Sequence, residues 1–403
     1  MAESDELNPG KPYVPRSAIY RIALLQFVTF AGRGIVYPFI SLYLISIGFS
    51  GTQIGLLTSV SALAQLSAAP LLHALADRYG RQRRLYYGLV IGNIAACLGA
   101  VLIPGSQLWL STMIVLRDAS DMPSVTLLSQ LTITWLQQQR RQIFGQIRAW
   151  GSFGWAVTTV LAGRIAAVAG YPPLFVLSAL ANLILLPQLT ILPRQTAQPH
   201  ERSAAPSSRP RGLYILLASV FLYYVGASAF SAFSSIYFKR TLGASDELIG
   251  LTSSLAALSE IPAMLLIDRV LRRVDIRATL MVGICGLGAL WFGSSQLTGT
   301  TLLIPLMLMR GTFFTLQIIS ITLLVSRISH ASNVATNQVL TQVTIPGLAI
   351  LLTGSLNGWL FDHIGARALF QLAALLAVLS TGLLIVARKA LASRPTEALS
   401  DAA

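Results

Sequence analysis

Long apolar runs, broken by short clusters of Gly, Pro and Arg, recur along the chain. A membrane-crossing helix takes about 20 mostly apolar residues. Reading the runs against their punctuation predicts twelve helical spans, near 18–46, 52–76, 85–104, 108–136, 143–168, 173–192, 212–240, 246–268, 277–296, 301–327, 334–360 and 366–388. The first sixteen residues are polar and run into a long span without a small-residue cleavage signal, so they do not read as a signal peptide. The longest polar stretch, "PRQTAQPHERSAAPSSRPR" at 193–211, has the Pro, Ser and Arg content of a flexible linker. It divides the chain into segments 1–192 and 212–403, each with six spans. The expected fold is an all-α integral membrane protein with two six-helix bundles.

Composition narrows the function classes. Charged residues make up 11% of the 403 residues, against roughly 25% in a soluble domain. Fifteen acids and 29 bases cannot coat two or three soluble domains, which excludes a cytosolic enzyme. The two cysteines, Cys97 and Cys285, sit in apolar runs and form no metal or redox motif. The net charge of +14 follows from topology instead. With both termini cytoplasmic, the inner segments hold 21 of the 29 Lys and Arg residues and the outer side four, as cytoplasmic loops should. The expectation is a multi-pass plasma-membrane protein with both ends inside, embedded in lipid, without a nucleic-acid partner, and monomeric.

The two halves repeat one another at an offset near 195. "IGLLTSVSAL" from Ile54 matches "IGLTSSLAAL" from Ile249, Gly48 meets Gly243, Tyr43 meets Phe238 and Phe175 meets Phe370. Arg117 and Arg310 correspond at an offset of 193. Repeated six-helix halves suit a transporter that rocks two bundles around a midplane site.

"LADRYGRQRRL", Leu75 to Leu85, lies between the second and third spans. It resembles the loop signature of the major facilitator superfamily, an Asp-Arg, a Gly two residues on and a basic run. His73 stands where that signature usually begins with Gly. The second-half echo "LIDRVLRRVDIRATL" keeps Asp268 and Arg269 but lacks the Gly. The resemblance implies a gating loop of Asp77, Arg78, Gly80, Arg81 and Arg84, with Asp77 bridging helix ends on the inner face. "YPFISLYLISIGFSGTQIGLL" from Tyr37 and "FGQIRAWGSFGW" from Phe144 are similar to the branch containing lactose permease and its nucleoside and phenylpropionate relatives. There an Arg and, seven residues on, a Trp line the sugar site, which implies substrate contacts for Arg148 and Trp155. Departures set this chain apart: the matching place for the permease's acidic partner in span four is near Gln130, and "LMLMRGTFF" in span ten has Arg310 and no carboxylate. Arg117 in "MIVLRDASD" also resembles the span-four Arg of proton-driven drug exporters, without the Gln-Gly that usually follows it.

Arg33, Arg117, Arg148, Arg310, Asp118, Asp121 and Glu260 all fall inside spans. Each ion at a helix centre costs about 3 kcal/mol on insertion scales, so seven of them should face an interior, paired or wet. Arg33 lies between Gly32 and Gly34 and either reaches a substrate cavity or forms a structural ion pair. Arg117 and Asp121 are i, i+4 neighbours able to pair, and Asp118 points about 100° away from Arg117. Two readings stand for Arg117, Asp118 and Asp121: proton coupling, or a permanent network joining spans one, four and five. Glu260, two residues before Pro262, faces Arg148 or Arg310. The expected substrate contacts are Arg33, Tyr37, Arg148, Trp155, Arg310 and Gln338, with Gln26, Gln130, Gln146, Tyr223, Tyr224, Asn337 and Gln342 in the expected lining. No catalytic residues, metal site or bound cofactor are expected; a proton gradient is the energy source.

The leading functional expectation is a secondary transporter taking up a small polar or carboxylated solute with protons by alternating access. The alternative is a proton-driven drug or metabolite exporter. A transport-dead scaffold leaves the cost of seven buried ions without an offset. A membrane enzyme lacks a nucleophile–base pair, a metal cluster or a phosphate-cradling loop.

Overall fold

The computed structural model describes residues 16–79, 81–103, 106–139, 143–191, 211–330 and 333–387. Among the described residues the chain is all-helical, without strands. The elements are α1 (Arg16–Val36), α2 (Ile40–Ser46), α3 (Gly51–Arg78), α4 (Gln82–Leu102), α5 (Gln107–Gln138), α6 (Phe144–Ala169), α7 (Pro172–Gln188) and a 3₁₀ turn (Leu189–Ile191). Beyond residues 192–210, where the expected linker falls outside the described residues, come α8 (Arg211–Arg240), α9 (Asp246–Arg273), α10 (Ile276–Gln296), α11 (Leu303–Ile328), α12 (Val334–Val339), a π-helical turn (Leu340–Thr344) and α13 (Ile345–Val386).

Lipid offers no hydrogen-bond partner to the backbone, so an apolar run inside it becomes a helix. Breaks therefore fall where the sequence removes that option. Pro38 lacks an N–H, and the Tyr37–Phe39 turn separates α1 from α2, where the hydrophobic pattern reads as one span. Gly48, Gly170, Gly243 and Gly365 have positive φ of 91°, 75°, 73° and 79°, a conformation that glycine adopts at no steric cost. They form two pairs, Gly48 with Gly243 and Gly170 with Gly365, each separated by the 195 residues of the sequence repeat. Gly365 turns the long α13 back on itself.

Among the described residues, nine helical segments are long and apolar enough to cross a membrane. The 17-residue α7 is shorter, and α5 carries Arg117, Asp118 and Asp121 along its middle. Large apolar side chains cover the outer surface: Leu108, Val168 and Val386 are each more than 80% exposed. In water such a surface would aggregate; facing acyl chains it costs nothing.

α1 packs on α6 and α7, and α4 on α5 and α7; in the second half α8 packs on α13, and α10 on α11 and α13. The second half is pinned by an aromatic stack of Tyr223, Phe230, Trp291 and Phe370. The halves meet along two seams, α3 on α13 and α6 on α9. Both seams are backbone on backbone. A Cβ at Gly55 would collide with the Gly354 carbonyl, and one at Gly358 with the Gly51 carbonyl. On the other edge, a Cβ at Gly250 would collide with the Thr159 carbonyl. Gly55 and Gly250 are the equivalent glycines of the repeated "IGL" segment, so the duplication places the same close contact on both edges.

Candidate functional site

The two seams close one end of the bundle, where α3 and α9 begin. Asp362, near the Gly365 turn, caps α3 from the other half of the chain. Its Oδ1 accepts the Gly51 N–H at 2.8 Å, and its Oδ2 accepts the Thr52 N–H at 2.8 Å and the Thr52 hydroxyl at 2.7 Å. A carboxylate against a helix N-terminus satisfies orphan donors and meets the positive end of the dipole. On the opposite edge Lys239 Nζ lies 2.6 Å from Asp246 Oδ2 and donates to the Tyr171 hydroxyl at 2.7 Å. The Tyr171 hydroxyl in turn donates to Asp246 Oδ1 at 3.1 Å, which again joins the two halves.

Beneath this closed end lies a cavity of about 280 Å³ between the halves. Its walls include Arg33, Tyr37, Asp121, Arg117 and Asp118 from one half and Gln342 from the other. Arg33 Nε lies 2.8 Å from Asp121 Oδ2, and Arg117 Nη1 lies 3.0 Å from Asp118 Oδ1. The helical i, i+4 pairing of Arg117 with Asp121 is thus replaced: α1 brings Arg33 to Asp121, and Arg117, 2% exposed, takes its chain neighbour. Asn93 donates to the Arg117 carbonyl at 3.5 Å, and Arg33 also reaches the Met122 sulfur at 3.5 Å.

A smaller alcove of about 80 Å³ adjoins the cavity and shares Tyr37, Ser41 and Ser231 with it. Arg310 and Trp155 line it. Trp155 packs its ring against Tyr37 at 5.7 Å and donates its indole N–H to Ser253 Oγ at 3.1 Å, across the halves. Arg310 makes no hydrogen bond or ion pair among the described residues.

Arg148 lines neither cavity. Its guanidinium lies 4.0 Å from the centroid of Phe30, and its Nη1 is buried without a hydrogen-bond partner. Arg33 approaches the same ring at 5.6 Å. Glu260 accepts from Ser152 Oγ at 3.4 Å and interacts electrostatically with Arg148 and, more weakly, with Arg310. The structure therefore brings Arg33, Arg117, Asp118 and Asp121 together around the large cavity, and Tyr37, Trp155 and Arg310 around the alcove. Gln338 donates to the Thr322 carbonyl at 2.6 Å and to Ser326 at 3.1 Å; it reaches the cavity only through Gln342, whose amide donates to its Oε1 at 2.6 Å. Gln342 lies inside the π-helical turn, a distortion common at functional sites, and Gln338 lies just before it. Of the gating loop, the side chains of Asp77 and Arg78, and Gly80, lie outside the described residues. Arg81 is exposed beside Tyr79, 5.7 Å from the ring centroid, and Arg84 is exposed on the first turn of α4.

Sequence reasoning passed over Asp362, and it counted Lys239 only as an outer charge. The one visible signal was an acid beside a turn glycine at the end of an apolar run, "NGWLFDHIG".

A helical bundle sealed at one end over a charged cavity between two repeated halves is the architecture of an MFS transporter. The MFS_1 like family matches residues 19–372, and the chain belongs to that family. It is a multi-pass membrane transport protein rather than an enzyme. It is 27% identical over 369 residues to the probable 3-phenylpropionic acid transporter of Escherichia coli (strain K12), spanning 89% of this chain and 94% of that one. It is 26% identical over 216 residues to the quinolone resistance protein NorA of Staphylococcus aureus, which covers 52% of this chain and 55% of NorA. In fold it resembles the nucleoside transporter NupG, with a TM-score of 0.76 at 18% identity over 92% of this chain and 99% of NupG. It also resembles a bacterial homologue of the human lysosomal transporter Spinster in an inward-facing, unoccupied conformation. That match has a TM-score of 0.74 at 13% identity, over 95% of this chain and 99% of the other.

Proposed function

We propose that the protein is a proton-coupled secondary transporter that takes up a small carboxylated solute by alternating access. The supporting observation is the cavity between the halves, sealed at one end by two glycine seams and lined by two carboxylate–guanidinium pairs. In this proposal there are twelve spans: the nine apolar segments, α5, α7, and one more from the break of α13 at Gly365. Segments 1–192 and 212–403 form the two six-helix bundles, joined by a cytoplasmic linker, with both termini in the cytoplasm of a plasma-membrane protein. The sealed end then faces outward, and the structure is the inward-facing state.

Arg33, Tyr37, Trp155, Arg310 and Gln338 are proposed as substrate contacts, directly or through Gln342. Arg148 belongs with them only if its guanidinium leaves the Phe30 ring. Asp118, Asp121 and Glu260 are the proposed proton carriers, with Arg117 as partner. Asp121 and Glu260 each have a guanidinium neighbour on another helix that relative motion would withdraw, and withdrawal favours the protonated acid; Asp118 keeps its own-helix partner Arg117. Asp77 and its neighbours are proposed as the inner gate.

The relative matched over 94% of its length favours an aryl carboxylic acid as the solute. The half-length match to NorA supports a second reading, export of an apolar compound by proton exchange. Purified protein in liposomes, with acid imposed outside, should accumulate labelled 3-phenylpropionate and lose that accumulation when a protonophore is added. Expulsion of the compound under the same gradient would favour the exporter; indifference to the gradient would remove proton coupling.

A further inference from the structure

The charges inside the bundle do not balance. Four guanidiniums (Arg33, Arg117, Arg148 and Arg310) face three carboxylates (Asp118, Asp121 and Glu260). Arg33 and Arg117 are consumed by their ion pairs. Arg148 and Arg310 are left with the single carboxylate of Glu260. An unpaired ion within the hydrocarbon region is expensive, and the two candidates differ in access. Arg148 is stacked on Phe30 away from both cavities, whereas Arg310 opens into the alcove.

The alcove supplies what an anion needs besides charge. Ser234 and Ser235 of α8 form no hydrogen bond among the described residues, although both line the space. Ser228, two turns earlier, does the opposite: its hydroxyl turns back on the Val225 carbonyl at 2.8 Å. Ser253 accepts the Trp155 indole N–H, which leaves its own proton free to donate. A guanidinium fork with three available hydroxyls matches the two oxygens of a carboxylate. About 80 Å³ holds such a head group with one or two waters. Tyr37, Ser41 and Ser231 border both spaces, so the alcove abuts the large cavity, whose lining is mostly apolar and suits the body of an aryl or alkyl acid.

We infer that the alcove is a monoanion site. The substrate's carboxylate docks on Arg310 with Ser234, Ser235 and Ser253, while its apolar body lies in the large cavity beside the Arg33–Asp121 pair. The inference rests on the proposed transporter reading, and it locates that solute's charge at Arg310 rather than at Arg148.

The test is equilibrium binding in nanodiscs, without any gradient, of 3-phenylpropionate against its neutral isostere 3-phenylpropanamide, by titration calorimetry. The wild-type protein should prefer the acid by at least about tenfold, the scale of one hydrogen bond to a charged partner. Arg310→Gln should erase that preference while binding the amide within about twofold of wild type, and Ser234→Ala with Ser235→Ala should lower it about threefold. Arg240→Gln, the same charge change at an exposed position of the same half, should leave it intact. Gel filtration and thermal unfolding matched to wild type show that each variant is folded. Persistence of the preference in Arg310→Gln would overturn the inference, as would its loss in Arg148→Gln alone or its absence in the wild-type protein. Intact preference without gradient-driven uptake would instead sink the proton-coupled reading and leave the alcove assignment standing.

Discussion

Asp362 offers a direct measure of what holds the sealed end together. Its three bonds to Gly51 and Thr52 exist only while α3 and α13 touch. Separation of the halves at this end breaks all three, so their energy counts toward the closed state alone. The site is partly wet, and water would replace much of what is lost. Replacing a capping carboxylate by Ala costs about 0.5–2 kcal/mol, with about 0.3–1 kcal/mol attributable to the helix dipole. Asp362→Ala should therefore disfavour closure by about 1–2 kcal/mol, a factor of about 5–30 in the open-to-closed ratio. Asp362→Asn, which keeps one acceptor oxygen and loses the charge, should fall between. Spin labels at Ser46→Cys and Ile364→Cys, exposed positions on opposite halves at this end, would report the two populations by double electron–electron resonance. The background would carry Cys97→Ala and Cys285→Ala. An unchanged ratio in Asp362→Ala, within twofold of the parent, would refute the idea that this carboxylate latches the halves.

The same distance measurement should show Gly55→Val and Gly250→Val each wedging their own seam open, because a side chain there meets backbone that cannot turn aside; overpacking of this kind costs about 1–3 kcal/mol. A closed population equal to the parent's in both would deny that the seams are tight. Asp121→Asn should destabilise the protein by about 3 kcal/mol by stranding Arg33 in the cavity wall, and Arg33→Gln added to it should restore most of the loss in thermal unfolding. If the double variant is no more stable than the single, the pair is not the relevant partner. Asp275 caps α10, and hydrogen bonds from the Arg277 side chain and backbone hold its carboxyl down at about 2. A depressed carboxylate stabilises the folded state above its ordinary range near pH 4, and that contribution fades as pH falls through about 2. Asp275→Ala should thus lower stability slightly at pH 7 and converge with wild type as the pH falls toward 2; parallel curves down to that pH would contradict it.

The hydrophobic runs made the helices legible because a bilayer leaves an apolar run one structural option. They were silent on local breaks that depend on a single residue. Pro38 splits the first run, and the π-helical turn at Leu340–Thr344 interrupts the eleventh without any Gly or Pro inside it. The repeat was legible as matched letters, and the four positive-φ glycines show it in the backbone. Which glycines meet across the halves was not legible, because Gly55 and Gly354 become neighbours only through docking of the two halves. The same limit applied to charge. Local spacing pairs Arg117 with Asp121, but Arg33 arrives from 88 residues away and displaces it. Arg148 illustrates the reverse: its spacing from Trp155 suggests one shared face, while its guanidinium settles on Phe30 and leaves Trp155 to the alcove.

The duplicated seams are equal in their glycines and unequal in their polar fastenings. One edge is held by a side chain bonded to peptide N–H groups of Gly51 and Thr52, donors that no substitution short of proline removes. The other crosses the halves through the Tyr171 hydroxyl, which is held by Lys239 and Asp246 of the second half; Lys239 is 37% exposed, so ions in the surrounding medium can compete for the charges that hold that hydroxyl. A rise in ionic strength should loosen the α6–α9 edge first and leave α3 against α13, turning a symmetric clamp into a one-sided hinge. The order in which the edges part is therefore written in the solvent as much as in the fold, and a homologue living in brine would be expected to carry its second fastening on backbone as well.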